Sequence, residues 1–232
     1  MRPLIAAAAW AAVLAGALPS AAQTPAASLR PGRIVVALGG AWIGGESLGT
    51  VRAETRAAAA GTTTPPPFAL FTTTSRLDAA PAIDASLAVA VTRGWAVEVR
   101  GGVRRPTLTT TISDDTEAAG TFTASEEIAE YVVDASVLYH PAWGAIGSRT
   151  RGYLVAGGGY LRQLHEDRVL VETGATLHVG AGARLWLVGG RGPGVAAGLT
   201  SDLRWVVRRD GITFRDGARS LPAWSLRAFV GF

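Results

Sequence analysis

Residues 222–232 read Pro-Ala-Trp-Ser-Leu-Arg-Ala-Phe-Val-Gly-Phe, and this stretch decides the fold. Counting back from Phe232, every second residue is apolar: Val230, Ala228, Leu226, Trp224. Between them stand Gly231, Phe229, Arg227, Ser225 and Ala223, small or polar except for Phe229. Successive side chains of a β-strand point to opposite faces, so this alternation gives one apolar face and one mostly polar face. About ten residues, tilted near 45°, is also the length at which a strand crosses a bilayer.

The same alternation recurs upstream. A first strand is expected over residues 33–42, with Ile34, Val36, Leu38, Gly40 and Trp42 on its apolar face. Residues 83–92 and 95–104 form an amphipathic pair joined by the tight Arg93-Gly94 turn, the pattern of a β-hairpin. Residues 127–140 carry Tyr131, Val133, Ala135, Val137 and Tyr139 against Glu130, Asp134 and Ser136. A fifth strand is marked by Tyr153, Val155, Gly157, Gly159 and Leu161. A sixth runs over 171–187, setting Ala175, Leu177, Val179, Ala181 and Leu185 against Thr176, His178, Gly180, Gly182 and Arg184. The seventh, 195–207, sets Leu199, Leu203 and Trp205 against Thr200, Asp202 and Arg204; residues 221–232 are the eighth.

The connections alternate in character. Residues 47–76, Thr- and Ala-rich with Pro65, Pro66 and Pro67, read as one long loop, since three prolines forbid a central strand. Residues 105–126 are a second long polar connection, followed by a charged tip at 165–168 and a polar loop at 208–219. The other three connections are mostly short and rich in Gly or Pro.

An aromatic C-terminal residue preceded by alternating apolar residues resembles the closing strand of bacterial outer-membrane β-barrels. The eight strands together resemble the small OmpA-like, eight-stranded outer-membrane barrel family. The resemblance implies an all-β, eight-stranded antiparallel up-and-down transmembrane barrel over residues 33–232. It also implies a last strand read by the barrel-insertion machinery, a monomer, and outer-membrane lipid and lipopolysaccharide as surroundings. In such barrels periplasmic turns are short and extracellular loops longer, so both termini are expected in the periplasm. Two aromatic belts then emerge: Trp42, Tyr131, Trp205 and Trp224 towards the outside, Trp95, Tyr139, Tyr153 and Phe232 towards the periplasm. Trp186 falls inside by parity unless a β-bulge reverses it. A soluble, lipocalin-like barrel would carry the same alternation with the faces exchanged; the belts and the terminal Phe232 favour the membrane form.

Composition agrees. The 48% hydrophobic content is never continuous beyond the N-terminus, and charged residues are only 17%, as expected when lipid-facing and lumen-facing residues alternate. Residues 1–22 read as a secretory signal, with Arg2, an apolar run from Leu4 to Leu18, and small residues after Pro19. Residues 23–32 are a short lead-in. The absence of Cys rules out disulfides and a lipoprotein anchor. All 22 basic residues are Arg, and nothing in their placement suggests nucleic acid. Because the sequence ends on the last strand, no appended periplasmic domain is expected. The expected compartment is the outer membrane of a Gram-negative-type bacterium.

The polar face would fill the lumen with Asp84, Glu98, Glu130, Asp134 and Asp202 against Arg100, Arg104, Arg184, Arg204 and Arg227, with His178 beside them. Eight strands leave room for little but side chains, and buried charges must be paired. A structural or surface-interaction role follows, with a narrow ion path along the same residues as the alternative. A further alternative is a lipid A-modifying enzyme, because some barrels resembling this one acylate or deacylate lipid A. That chemistry needs a Ser activated by a His. Ser136 and His140 share a face but lie about 13 Å apart along an extended strand. No phosphate-binding loop, dinucleotide fingerprint or metal-ligand spacing is present, so no cofactor, metal or catalytic residue is expected. Arg52, Arg56, Arg76, Arg208, Arg209, Arg215 and Arg219, in or beside the outer loops, are candidates for lipopolysaccharide phosphates.

Overall fold

The computed structural model describes residues 30–55, 67–117, 120–166, 169–189, 194–213 and 217–232. The signal segment, most of the lead-in, Arg56, Pro65, Pro66, Arg168 and Arg215 lie outside the described residues. In chain order the strands are β1 Ile34–Ile43, β2 Glu46–Thr55, β3 Phe68–Leu77, β4 Ala80–Ala90, β5 Trp95–Arg104, β6 Thr107–Ser113 and β7 Phe122–Glu127. They continue with β8 Ala129–Tyr139, β9 Ala145–Ile146, β10 Thr150–Leu164, β11 Val171–Val188, β12 Ala196–Asp210 and β13 Arg219–Gly231.

Eight of these strands close a barrel, in the order β1-β4-β5-β8-β10-β11-β12-β13. Each is antiparallel to its neighbours, and β13 returns to β1 with Val35 opposite Gly231 and Trp42 opposite Trp224. Closure leaves no sheet edge within the barrel wall, the condition for placing a sheet in hydrocarbon. The start of β1, the end of β13, the 91–94 turn, the 140–149 connection and the β11–β12 connection lie at one end, called here the terminal end. The remaining connections lie at the far end.

The apolar rows face outward. Ile83 is 71% exposed, Leu177 65% and Leu38 61%, whereas Arg227 on the opposite face is 1% exposed and Glu130 fully buried. The outer face carries Trp42, Tyr131, Trp205 and Trp224 toward the far end and Trp95, Tyr139 and Phe232 toward the terminal end, all substantially exposed. Tyr153 is a correction: it points into the lumen and is 2% exposed. In β10 the outward set is Leu154, Ala156, Gly158 and Tyr160. Both faces of that strand are apolar or small, so alternation alone does not fix its phase. Trp186 lies inside, edge-on to Phe229 at 6.1 Å. The irregularity in β11 falls between Trp186 and Val188, just beyond it, and so does not turn the ring outward.

The two long far-end connections are also corrected. They are β-hairpins, β2–β3 and β6–β7, joined through β3 and β6 into a four-stranded sheet. Water on both faces removes the apolar–polar alternation by which a strand is recognised, while Thr at 72–74 and 109–111 favours extended backbone through its β-branch. Pro67 immediately precedes β3, so it punctuates the hairpin and does not interrupt a strand.

Candidate functional site: the charged lumen

The inward side chains form two ionic layers. In the central layer Asp202 is the hub: its carboxylate accepts from Arg204 Nε at 2.8 Å, Arg227 Nη2 at 2.5 Å and Tyr153 Oη at 3.1 Å, and lies 3.4 Å from Arg100 Nη1. Arg100 also pairs with Asp84, and Glu98 accepts from Arg204 at 2.8 Å and Arg227 at 3.4 Å. Three guanidinium groups thus face three carboxylates. Such pairing is needed because an unmatched charge in a low-dielectric interior costs several kcal/mol.

The second layer lies toward the far end. Glu130 takes a two-point contact from Arg104, at 2.5 and 3.0 Å, and another from Arg208, at 2.6 and 2.9 Å. Gln163 Nε2 adds a bond at 2.9 Å, and Arg208 reaches on to Glu46 at 2.9 Å. Glu46 and Arg208 were absent from the lumen expected from sequence. Arg208 continues the inward parity of Arg204 and is 2% exposed, so it is no loop residue for lipopolysaccharide phosphate. Arg219 likewise turns toward Glu46, at 3.4 Å, and Arg76 toward Asp78, at 3.2 Å.

Between the layers lies a cavity of about 60 Å³, bordered by Asp84, Arg100, Arg104, Glu130, Asp134, His178, Arg204 and Arg208. Apolar side chains such as Val103 and Val206 line it beside these charged groups, and it has room for a few waters. Apolar clusters lie beyond it on both sides. Leu48, Leu77, Leu108, Ile128 and Ile212 pack above the Glu130 layer at the far end. Trp186, Phe229, Val35 and Ala196 pack at the terminal end, with Arg184 stacked 5.1 Å over the Phe229 ring.

Glycines decide which strands can speak to each other across the lumen. Gly157 of β10 is the register partner of both Ser136 in β8 and His178 in β11. A side chain there would overlap the Ala135 carbonyl and the Ser136 hydroxyl. Its absence lets Ser136 Oγ meet His178 Nε2 at 2.9 Å over the intervening strand. Gly159 does the same for Thr176 and Asp134, whose hydroxyl–carboxylate bond is 2.6 Å. These Gly positions therefore serve side-chain contact two strands apart, which a strand interior otherwise does without.

Ser136 thus has a histidine, but it is His178, not His140. Asp134 stands 4.0 Å from His178 Nδ1, beyond hydrogen-bond reach. Arg204 Nη1 competes for the same Nε2 at 3.2 Å, so that nitrogen's lone pair is shared between two donors. Ser136 is 3% exposed and faces the closed lumen, with the barrel wall between it and any acyl chain. His165 instead lies by Glu126 at 3.0 Å, outside the barrel wall's span. Among the described residues, no cluster of His, Asp and Glu has the arrangement to hold a metal ion.

His140, in the terminal-end connection, is 1% exposed, and its backbone carbonyl accepts from Arg151 at 3.2 Å. Burial, reinforced by the Arg184 and Arg151 charges, pushes its pKa down to about 3, so the ring is neutral.

No protein-family model and no curated protein matches this sequence. Among solved structures the chain is similar to the outer membrane protein OprG from Pseudomonas aeruginosa, at 10% identity and a TM-score of 0.50, over 89% of this chain and 97% of that one. It is also matched to Ail, the attachment invasion locus protein of Yersinia pestis, at 14% identity and a TM-score of 0.37, over 88% and 100% of the two chains. The first likeness extends over nearly the whole of both chains and is one of fold: a small outer-membrane-type β-barrel.

Proposed function

We propose that this protein is an outer-membrane β-barrel of a Gram-negative-type bacterium with a structural or surface-interaction role. The barrel carries the four-stranded far-end sheet outside the cell and keeps both termini in the periplasm. The observation that carries the reading is the inverted polarity of the wall: Leu, Val and Trp rows outside, paired charges inside. In water that arrangement would expose an apolar girdle far larger than a soluble monomer tolerates. The far-end sheet supports the surface role, because its Thr side chains are held in cross-strand pairs, Thr50 with Thr74 at 3.1 Å and Thr111 with Thr123 at 3.4 Å. A Thr-rich sheet whose edge strands are β2 and β7 suits contact with an external partner.

The lumen reads as a sealed, hydrated core, not as a pore or an active centre. The cavity favours a narrow ion path as the second reading, but ions would have to part the Glu130 layer and the Leu48 cluster above it. Fractionation with the outer membrane, heat-modifiable migration in detergent and protease access to residues 46–77 on intact cells test the main reading. Planar-bilayer recording tests the second, for which steady single-channel steps abolished by Glu130→Ala are required. Unchanged lipid A mass spectra on expression are the expected result if the barrel does not act on lipid.

A further inference from the structure

The terminal end of the lumen gathers arginines where the sequence supplies no carboxylate. Beyond Asp84, Glu98, Asp134 and Asp202, no barrel strand carries another Asp or Glu on its way to that end. Yet Arg33, Arg151 and Arg184 are buried there, at 8%, 8% and 3% exposure. Arg33 Nη2 donates to the Gly194 carbonyl at 3.2 Å, and Arg151 Nη2 to that of His140 at 3.2 Å. Arg184 is served differently. Its Nε has no hydrogen-bond partner, and among the described residues its guanidinium makes no ion pair. The contact it does make is with the Phe229 ring, 5.1 Å away. Glu98 and Asp202, the carboxylates of the next layer inward, are already taken by Arg204 and Arg227.

Arg184 and Arg151 are register partners on β11 and β10. Like charges directly opposite each other destabilise a sheet, and arginine cannot relieve the repulsion by giving up its proton. The surroundings are fixed by contact. The His140 and Tyr153 rings lie 5.4 Å apart, and the Tyr153 ring fills the space over Gly182, two residues from Arg184 on the same face. The Arg184 and Arg151 charges both bear on the His140 ring, and the Arg33 charge bears on Arg184. A neutral imidazole and a phenol supply no negative charge, so the balance has to come from outside the chain. Two arginines with so little open surface leave room for a bare ion, not for a headgroup or a nucleotide.

We infer that the terminal end of the lumen seats a small monovalent inorganic anion of the halide class between Arg184 and Arg151. Arg184 holds it with charge-assisted N–H donors, Arg151 faces it from the neighbouring strand, and Arg33 adds to the positive field. The inference rests on the sealed-lumen reading above and goes beyond it by naming a ligand and its place.

The test uses the full chain folded in detergent micelles, unfolded by urea in sodium chloride or in sodium gluconate of equal ionic strength. Gluconate is too large to enter. With chloride at about 0.2 M, a site whose dissociation constant is about 20 mM raises the folding constant about tenfold. R184Q should lose that increment, and the far-end variant R105Q should keep it. The wild-type chain should also broaden the chloride NMR line, and bromide should reverse the broadening. Equal midpoints of the wild-type chain in the two salts, or the full increment in R184Q, overturns the site. Absence of a bromide-sensitive line width in the wild type overturns it even where R184Q does not fold. Steady single-channel steps would overturn the sealed lumen itself, whereas a silent barrel indifferent to chloride overturns only the anion seat.

Discussion

Replacing Asp202 by Asn keeps the shape of the central lumen but removes the charge on which Arg100, Arg204 and Arg227 converge. Three cations would then face only Asp84 and Glu98. The Arg204 and Arg227 side chains are 3% and 1% exposed, so bulk water does not reach the lost contact, and the few waters the cavity can hold carry no compensating charge. Breaking a buried pair by removing one partner costs about 3–5 kcal/mol, or roughly two to four decades in the folding equilibrium. With a urea dependence of about 2–3 kcal/mol per molar, the unfolding midpoint should fall by about 1–2.5 M. The assay is urea titration of the barrel in vesicles, read as the fraction that keeps heat-modifiable migration. The exposed Arg105–Glu127 pair, at 3.5 Å with side chains 68% and 57% exposed, is the internal control; Glu127→Gln should cost no more than about 1 kcal/mol. Adding Arg227→Gln to Asp202→Asn should recover part of the loss, because it restores the balance of charge. If Asp202→Asn moves the midpoint no further than Glu127→Gln, the lumen is screened like open water and the paired-core argument is wrong.

Three other outcomes are expected. Gly157→Val should destabilise the barrel by about 1–3 kcal/mol through overpacking, because the new side chain meets the Ala135 carbonyl and the Ser136 hydroxyl; an unchanged urea midpoint would contradict the spacer role. His140 should make the protein acid-sensitive. Its folded pKa, near 3, lies below the unfolded value of about 6.5, so only the unfolded state takes the proton as pH falls from about 6.5 towards 3. Between pH 7.5 and 4.5 the wild-type chain should lose about 2–3 kcal/mol more than His140→Asn in the same urea assay; equal losses would place the ring in water. Conductance in planar bilayers should be nil for the wild type and stay nil when Leu48 and Leu77 are both replaced by Gly, because the Glu130 layer and the Trp186–Phe229 cluster still close the lumen; steady steps in either protein would contradict the sealed core.

The barrel was legible because lipid outside and charge inside impose opposite demands on alternate residues, and Ile83, Asp84, Ala85 and Ser86 obey them plainly. Where that contrast fades, so does the reading. Residues 153–161 have small or apolar side chains on both faces, and Tyr153 was assigned to the wrong one. The β2–β3 and β6–β7 hairpins stand in water on either side and left no alternation to find. Arg208 could have been placed by extending the parity of Asp202, Arg204 and Val206 two residues further. The contact between Ser136 and His178 had no such signal, because it depends on the register that sets Gly157 between them.

The central claim is the outward direction of the apolar rows, and β11 tests it most directly. The sequence contains no Cys, so single cysteines at 175 through 181 can each carry a nitroxide in the vesicle-embedded barrel. Relaxation by oxygen, which partitions into lipid, is then compared with relaxation by a water-soluble nickel chelate. Labels at 175, 177, 179 and 181 should be the oxygen-accessible set, with 176, 178 and 180 shielded from it. The opposite phase, with 176, 178 and 180 in contact with lipid, would contradict the account.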